Sequence, residues 1–287
     1  MIGAYRALAA TIYWSGDFES AQQNAMCGVQ IWRSGNVQSH ELASRLGVSR
    51  GTDLYTPVVG CLCYAAMSEW HLGEIAPCQV TMTEAICLAK EVNDMHALAV
   101  ALYFGGSLAH LEHNYAEVER LASELIELST RQNFAYWLAI GAVLCGWARS
   151  ASGDTAEGIS RIEDGIEDLR TDGSVLGVLS LLALKAEALH LADRTSEAVE
   201  AINEAEALAE RFEQRCWSAE LHRLRGVFLT AIGADSAQIK ASFCAAIRIA
   251  KEQKSVSLQK RAEATYAEYR RQKASGSGGR GFRVPLW

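Results

Sequence analysis

Proline is nearly missing from this chain. Its 287 residues hold three, Pro57, Pro77 and Pro285, so little interrupts helix formation over most of the length. An excess of basic residues is missing too. Lys and Arg number 27 against 34 Asp and Glu, a formal net charge of −7, which argues against a general nucleic-acid binder that must neutralise phosphates with a basic face. No apolar run reaches membrane length. The most membrane-like stretch, "FAYWLAIGAVLCGWA" from Phe134 to Ala148, has 15 residues before Arg149, whereas a span needs about 20. It reads as a buried helix of a soluble protein. No basic segment followed by an apolar run and a small-residue cleavage site opens the chain, so no signal peptide is expected and the expected location is cytoplasmic. Eight cysteines occur, scattered at Cys27, Cys61, Cys63, Cys78, Cys87, Cys145, Cys216 and Cys244, without a C-x-x-C pair. They read as small buried hydrophobes in a reducing compartment rather than a disulfide framework.

What is present is apolar material, 49% of the chain, arranged with a period. A turn of the form Gly-Asp-Phe at Gly16 is echoed at Gly73, His113, Gly153, Asp193 and Gly233, and from Gly73 onward the spacing is 40 residues each time. Seven residues before each of these five later turns stand Ala66, Gly106, Gly146, Ala186 and Gly226, all small. Twelve residues after the small position come Cys78, Val118, Gly158, Ala198 and Gln238, and seven further on Ala85, Leu125, Gly165, Ala205 and Ala245. Small residues at fixed places let two antiparallel helices approach closely. A corner residue that tolerates a left-handed backbone joins them, and Asp, Glu, Ser or Thr near the next helix start can cap its free amides. Each such hairpin has an apolar face it cannot bury alone, so hairpins stack.

The pattern predicts helix pairs at 2–15 and 18–33, 54–72 and 76–92, 95–112 and 116–131, 134–151 and 155–170, 175–191 and 195–212, and 215–231 and 236–252. A single helix at 256–272 would cap the stack. The repeat domain is thus expected over 1–272, with an irregular insert at 34–53. A Gly/Ser-rich basic tail at 273–287 is expected to be disordered. The expected fold class is all-α, a right-handed α-α superhelix. It resembles the tetratricopeptide repeat (TPR): Gly105-Gly106, Cys145-Gly146 and Arg225-Gly226 stand at the Leu-Gly site, and Phe18 and Tyr115 at the turn aromatic. The period departs from the usual one of about 34 residues, which should lengthen the helices by over a turn.

Longer segments carry a narrower resemblance. "YRALAATIYWSGDFESA", "GCLCYAAMSEWHLG", "RCWSAELHRLRGVFLTAIG" (Arg215 to Gly233) and "SFCAAIRIAKEQKSVSLQKRAEATYAEYRRQ" (Ser242 to Gln272) are similar to the long-repeat TPR region at the C-terminal end of large bacterial regulators. In these, a class III adenylate/guanylate cyclase domain or a DNA-binding domain is joined to a P-loop ATPase module, followed by the repeats. The last helix departs from that family, with "KSVSLQKRA" in place of the commoner Lys-Ser-Trp-Glu-Leu-Arg. No G-x-x-x-x-G-K-[ST] occurs in this chain, and no strands that would carry cyclase carboxylates are read. The resemblance therefore implies a non-catalytic regulatory module without cofactor or metal. Its partners would be a protein or the cyclase and ATPase domains, and any cyclase label would be inherited from domains absent here. A small-molecule sensor is the alternative.

Weaker signals do not rise to sites. "GSGGRG" at Gly276 to Gly281 matches a dinucleotide fingerprint but lacks the strand–turn–helix context. Arg270, Arg271, Lys273, Arg280 and Arg283 read as cations at a helix C-terminus and in a solvated tail, and "FRVPLW" as an end that could dock on a neighbour. His110 and His113 lack a second ligand pair for a metal. The acidic stretch Glu163 to Gly173 lacks a calcium ladder. In TPR stacks the first helix of each pair lines the concave face. Carrying that register onto this chain points Trp70, Tyr103, Ser107, His110, Trp147, Glu187, His190 and Arg223 inward. The mix of aromatics with a few charges is that of a binding surface. The competing reading is that Trp70 and Trp147 fill gaps between long helices.

Overall fold

The computed structural model describes residues 1–34, 55–171, 173, 177–275 and 286. The expected insert at 34–53, beyond Ser34, and the tail, beyond Ser275 and apart from Leu286, lie outside the described residues. Leu286 itself is buried. Thirteen helices and no strand occur among the described residues. They are α1 (Ile2–Ser15), α2 (Phe18–Arg33), α3 (Tyr55–Leu72), α4 (Ile75–Glu91), α5 (Met95–Leu111), α6 (Tyr115–Gln132) and α7 (Ala135–Ala151). There follow α8 (Thr155–Thr171), α9 (Val178–Leu191), α10 (Thr195–Arg211), α11 (Ser218–Ala231), α12 (Ser236–Glu252) and α13 (Val256–Ala274). The fold is an all-α superhelix of antiparallel pairs, with α13 unpaired at the end.

The corners explain the period. Gly16, Gly73, His113, Gly153, Asp193 and Gly233 all take positive φ, between 57° and 106°. From the second pair onward, a second series of left-handed residues joins one pair to the next: Asn93, Asn133, Gly173 and Glu213, again 40 apart, then Lys254 before the last helix. Several corners hand the chain to a residue whose side chain caps the next helix. Asp17 accepts from the Ser20 N–H at 3.1 Å, Asp94 from Ala97 at 3.0 Å and Asn114 from Glu117 at 3.2 Å. The Gly-Asp pair at 16–17 is thus a helix corner and its cap. Of the two turn aromatics, Phe18 is fully buried but Tyr115 is half exposed.

The small positions are close-approach points. A Cβ on Gly146 would lie 2.5 Å from the Gly158 carbonyl oxygen, and one on Gly165 2.6 Å from that of Ala139, so α7 and α8 meet backbone to backbone. Of the cysteines, Cys61, Cys63, Cys78, Cys145 and Cys216 are buried as expected. Cys87 and Cys244 are exposed and Cys27 half-buried, because they fall on the outward side of second helices, where packing asks for no particular side chain.

The two helix layers differ in character. Outer helices such as α6 and α8 bury one stripe, Val118, Leu121, Ala122, Leu125 and Leu128 in α6, and carry charge on the rest. Inner helices such as α5 and α9 are buried nearly all round. An inner helix facing an open groove would keep a wet stripe. Here the superhelix comes back on itself. The Arg215 and Cys216 N–H groups donate to the Trp14 carbonyl at 2.7 and 3.2 Å. Gln253 Nε2 donates to the Arg215 carbonyl at 2.7 Å, and Lys254 pairs with Glu19 at 2.5 Å. The first hairpin thereby meets the last, and the concave face becomes an interior. No described helix is long and apolar enough to cross a membrane.

Candidate functional site

Seven of the eight side chains expected on the concave face are buried: Trp70, Tyr103, His110, Trp147, Glu187, His190 and Arg223 are each at most 8% exposed. Ser107 is half-buried, its hydroxyl donating to the Tyr103 carbonyl at 2.9 Å. The face divides into two halves along the helix axes.

Toward the C-terminal ends of the inner helices it is filled by a charged cluster. The Glu187 carboxylate on α9 accepts from Trp147 Nε1 on α7 at 2.7 Å and from His110 Nε2 on α5 at 3.2 Å. His110 lies edge-on to Trp147, ring centroids 4.5 Å apart. On α11, Arg223 makes a two-pronged contact with Glu220, at 2.9 and 2.7 Å. Arg261, on α13, reaches Glu220 at 3.2 Å, donates to the Leu111 carbonyl at the end of α5, and lies 5.3 Å over the Trp70 ring. Burial disfavours ionising Glu220, but Arg223 and Arg261 outweigh it and hold its carboxyl far below the usual range. Burial likewise opposes ionisation of Glu187, and His110 beside it lowers its pKa. His190 stands apart, against Thr195 at 3.0 Å and the Phe228 ring.

His71 closes the same half. Its ring stacks on Phe18, centroids 3.6 Å apart, with Tyr13 and Ser255 hydroxyls within 3.3 and 3.0 Å of its nitrogens. Burial first, then Arg261, pushes its pKa down to about 3, and the same causes bring His113 to about 3. Both are neutral near pH 7. Ser257 adds a hydrogen bond from α13 to the Trp70 carbonyl at 2.5 Å. Transferring the repeat register missed Glu220, Arg261, His71 and Ser255. Glu220 lies six residues before the small position Gly226, one turn before Arg223 on the inward stripe, and was within reach of the same argument. Arg261 and Ser255 belong to the unrepeated end, where no register exists to transfer.

Toward the N-terminal ends of the inner helices the face stays open, as a cavity of about 350 Å³. Its walls are aromatic: Tyr64 from α3, Tyr103 and Phe104 from α5, Tyr136 and Trp137 from α7. The rings brace one another, Tyr64 edge-on to Phe104 at 5.0 Å, Tyr103 tilted against Trp137 at 5.8 Å and Tyr136 edge-on to Trp137 at 4.9 Å. Burial raises the phenol pKa of Tyr64, Tyr103 and Tyr136, so all three are neutral. Of the expected residues only Tyr103 lines this cavity. One signal was available: Tyr64 and Phe104 are 40 residues apart and hold the same place in consecutive repeats. A wider cleft of about 860 Å³ follows the seam between the first and last hairpins. Its walls mix acids such as Asp17, Glu206 and Glu213 with Arg215 and Lys254.

No family model matches the chain. Over 203 residues it is 24% identical to an uncharacterized protein of Rhizobium meliloti (strain 1021), a stretch covering 71% of this chain and 20% of that protein. The chain thus spans about a fifth of the length of the curated relative it matches. Among solved structures it is similar to Bacillus thuringiensis PlcR in complex with the peptide PapR7 and DNA, with TM-score 0.60, 15% identity, and 71% of this chain and 73% of that chain covered. It is also similar to a Rap protein complexed with competence and sporulation factor, with TM-score 0.61, 10% identity, and 97% and 83% covered. At these identities the likeness is one of fold, and the fold is TPR-like.

Proposed function

We propose that this chain is a non-catalytic TPR-type interaction module that takes a protein or peptide partner on its concave side. We place it as the C-terminal part of a bacterial, cytoplasmic signalling ATPase, nucleotide cyclase or transcription regulator. The observation that carries the reading is the concave face itself. It pairs a latch of buried charge, in which Arg261 of α13, paired with Glu220 of α11, reaches α3 and α5, with an open aromatic recess on the same inner helices. Two proteins of similar fold were solved with a peptide and DNA, and with competence and sporulation factor, which supports a ligand on such a face. A relative in which the matched stretch is 20% of the length supports a module within a larger regulator. Trp70, His110, Trp147, Glu187 and Arg223 are contact residues in this proposal only when α13 lifts. Tyr103 and Ser107 are in reach without that step.

The test is titration of a captured, purified partner against wild type and Ser107→Arg. Weaker binding by the variant at unchanged melting temperature supports the reading, and equal binding counts against the concave side. Incubation with ATP and Mg²⁺ or Mn²⁺ is expected to give no turnover; any product overturns the non-catalytic assignment. The second reading, a small-molecule sensor, is favoured by the aromatic cavity. A metabolite that raises the melting temperature would support it.

A further inference from the structure

The cavity's walls say which chemistry it would take. Seven rings, Trp14 and His96 among them, suit a flat apolar group, and 350 Å³ falls at the small end of ligand pockets. An aromatic recess of this kind could also hold an organic cation by its ring faces, so charge must decide. Among the described residues the lining contains no Asp or Glu and one guanidinium, Arg6. The Arg6 stem runs along α3 where Gly60 leaves room for it: a Cβ there would fall 2.8 Å from Arg6 Cδ. Arg6 makes no ion pair among the described residues, although it lies close enough to Tyr64 and Cys61 to offset in part the burial that raises the pKa of both.

Behind Thr56 stands Asp94. Its carboxylate is already occupied by the Ala97 N–H at 3.0 Å and the Thr56 hydroxyl at 2.8 Å. The helices add to the same sign. Thr56, His96 and Tyr136 are each the second residue of α3, α5 and α7, and Gly177 is the N-cap of α9. Four inner helices therefore turn their positive ends toward one cavity, which favours negative charge there. Among the described residues no carboxylate lines the cavity to offset this field for a cation.

We propose that the cavity binds an aromatic carboxylate, with its ring between Tyr64, Phe104 and Trp137 and its acid group on Arg6. The chemistry is shared by two sources, a free aromatic acid and the C-terminal residue of a peptide. The inference rests on the sensor or peptide-binding reading and goes beyond it in naming the group recognised.

The experiment titrates the full chain, by tryptophan fluorescence and calorimetry, with phenylacetate, indole-3-acetate, their neutral amides and a choline ester. A tetrapeptide ending in tryptophan is added as free acid and as amide. At least one acid is expected to bind at least tenfold more tightly than its amide. Arg6→Gln should lose that tenfold while leaving the amide unchanged, as expected when a charge-assisted hydrogen bond is removed. Gly60→Ala, which displaces the Arg6 stem without touching the rings, should shrink the same preference at unchanged melting temperature. Preference for the free acid or for the peptide names the source. Equal binding of acid and amide, tighter binding of the choline ester, or no binding of any probe at millimolar concentration overturns the proposal. A neutral metabolite found by thermal shift would then leave the sensor reading standing without it.

Discussion

The two halves of the concave face are built on the same helices and end differently. At the C-terminal ends of the inner helices, Glu187, Glu220, Arg223, Arg261, His71 and His110 face one another in a dry interior. At the N-terminal ends, aromatic rings stand around open space with Arg6 at the wall. The difference teaches where a solenoid can still bind. Charges that an open groove would offer to a partner are consumed internally where the ends of the superhelix meet. The half left unsealed retains its ring faces and Arg6, a cation without an ion-pair partner among the described residues.

The sealed half should be brittle. Glu220→Leu leaves the buried guanidiniums of Arg223 and Arg261 facing each other without their carboxylate, and is expected to cost about 3–5 kcal/mol in urea unfolding. The double variant Glu220→Leu/Arg223→Met removes both charges and should recover most of that loss, since buried pairs are nearly neutral against apolar replacements. A double variant as unstable as the single one would mean that the pair stabilises the closure outright. The aromatic half should respond to neither.

Arg261→Ala tests the latch rather than the pair. It removes a charge-assisted bond to Glu220, one to the Leu111 carbonyl and the face contact on Trp70, about 2–3 kcal/mol together. Hydrogen exchange should show α13 losing protection while α6 and α8 keep theirs. Uniform loss over all helices would mean that closure and stack fold as one unit.

Acid should loosen the sealed half first. His71 and His113 are held neutral by pKa values near 3, whereas in the unfolded chain they protonate near 6.5. Between those values the unfolded state binds more protons, so stability is complete above pH 6.5 and falls as pH drops toward 3. Each histidine removes about 2 kcal/mol by pH 5. Glu187 and Glu220, with depressed carboxyls, act in the same direction below their unfolded pKa. Urea midpoints at pH 7.5, 6.5 and 5.5 should decline, and His71→Gln should flatten the decline. An unchanged slope in that variant would remove His71 from the explanation.

Much of the stack was legible in the sequence, because its corners are chemically selective. A left-handed residue and a following cap restrict the choice enough for Gly73, His113, Gly153, Asp193 and Gly233 to be found by spacing alone. The second series of corners was not, since Glu213 and Lys254 take positive φ without a residue type that announces it. The closure was hidden for another reason. Arg261 meets the Leu111 carbonyl across 150 residues, and Arg215 meets Trp14, pairings that no periodicity encodes. A trace of it was present nonetheless. "MHALAVALYFGGSLAHL", Met95 to Leu111, has no polar stripe, and a helix beside an open groove needs one. The aromatic cavity escaped although Tyr64 and Phe104 lie two residues before the small positions Ala66 and Gly106, within reach of the same register, because nothing in that register singles out these positions from the core-filling leucines that hold the same place in later repeats.

The seam between the first and last hairpins is held by two kinds of contact, and the smallest prediction separates them. Lys254 and Glu19 stand 2.5 Å apart, a short ion pair, but their side chains are 70% and 49% exposed. Water screens such a pair, and holding two long side chains in one geometry opposes it. The backbone bonds from Arg215 and Cys216 to Trp14 immobilise no long charged side chain, and the Gln253 side-chain amide adds a bond to the Arg215 carbonyl. Lys254→Ala should therefore leave the urea midpoint unchanged within error at low and high salt alike, despite the shorter distance. Gln253→Ala should lower it and speed exchange at the Arg215 and Cys216 amides. Were Lys254→Ala the more damaging of the two, and salt to reproduce it, the ends of the superhelix would be joined by surface charge, and the interior cluster would be a consequence of closure rather than its cause.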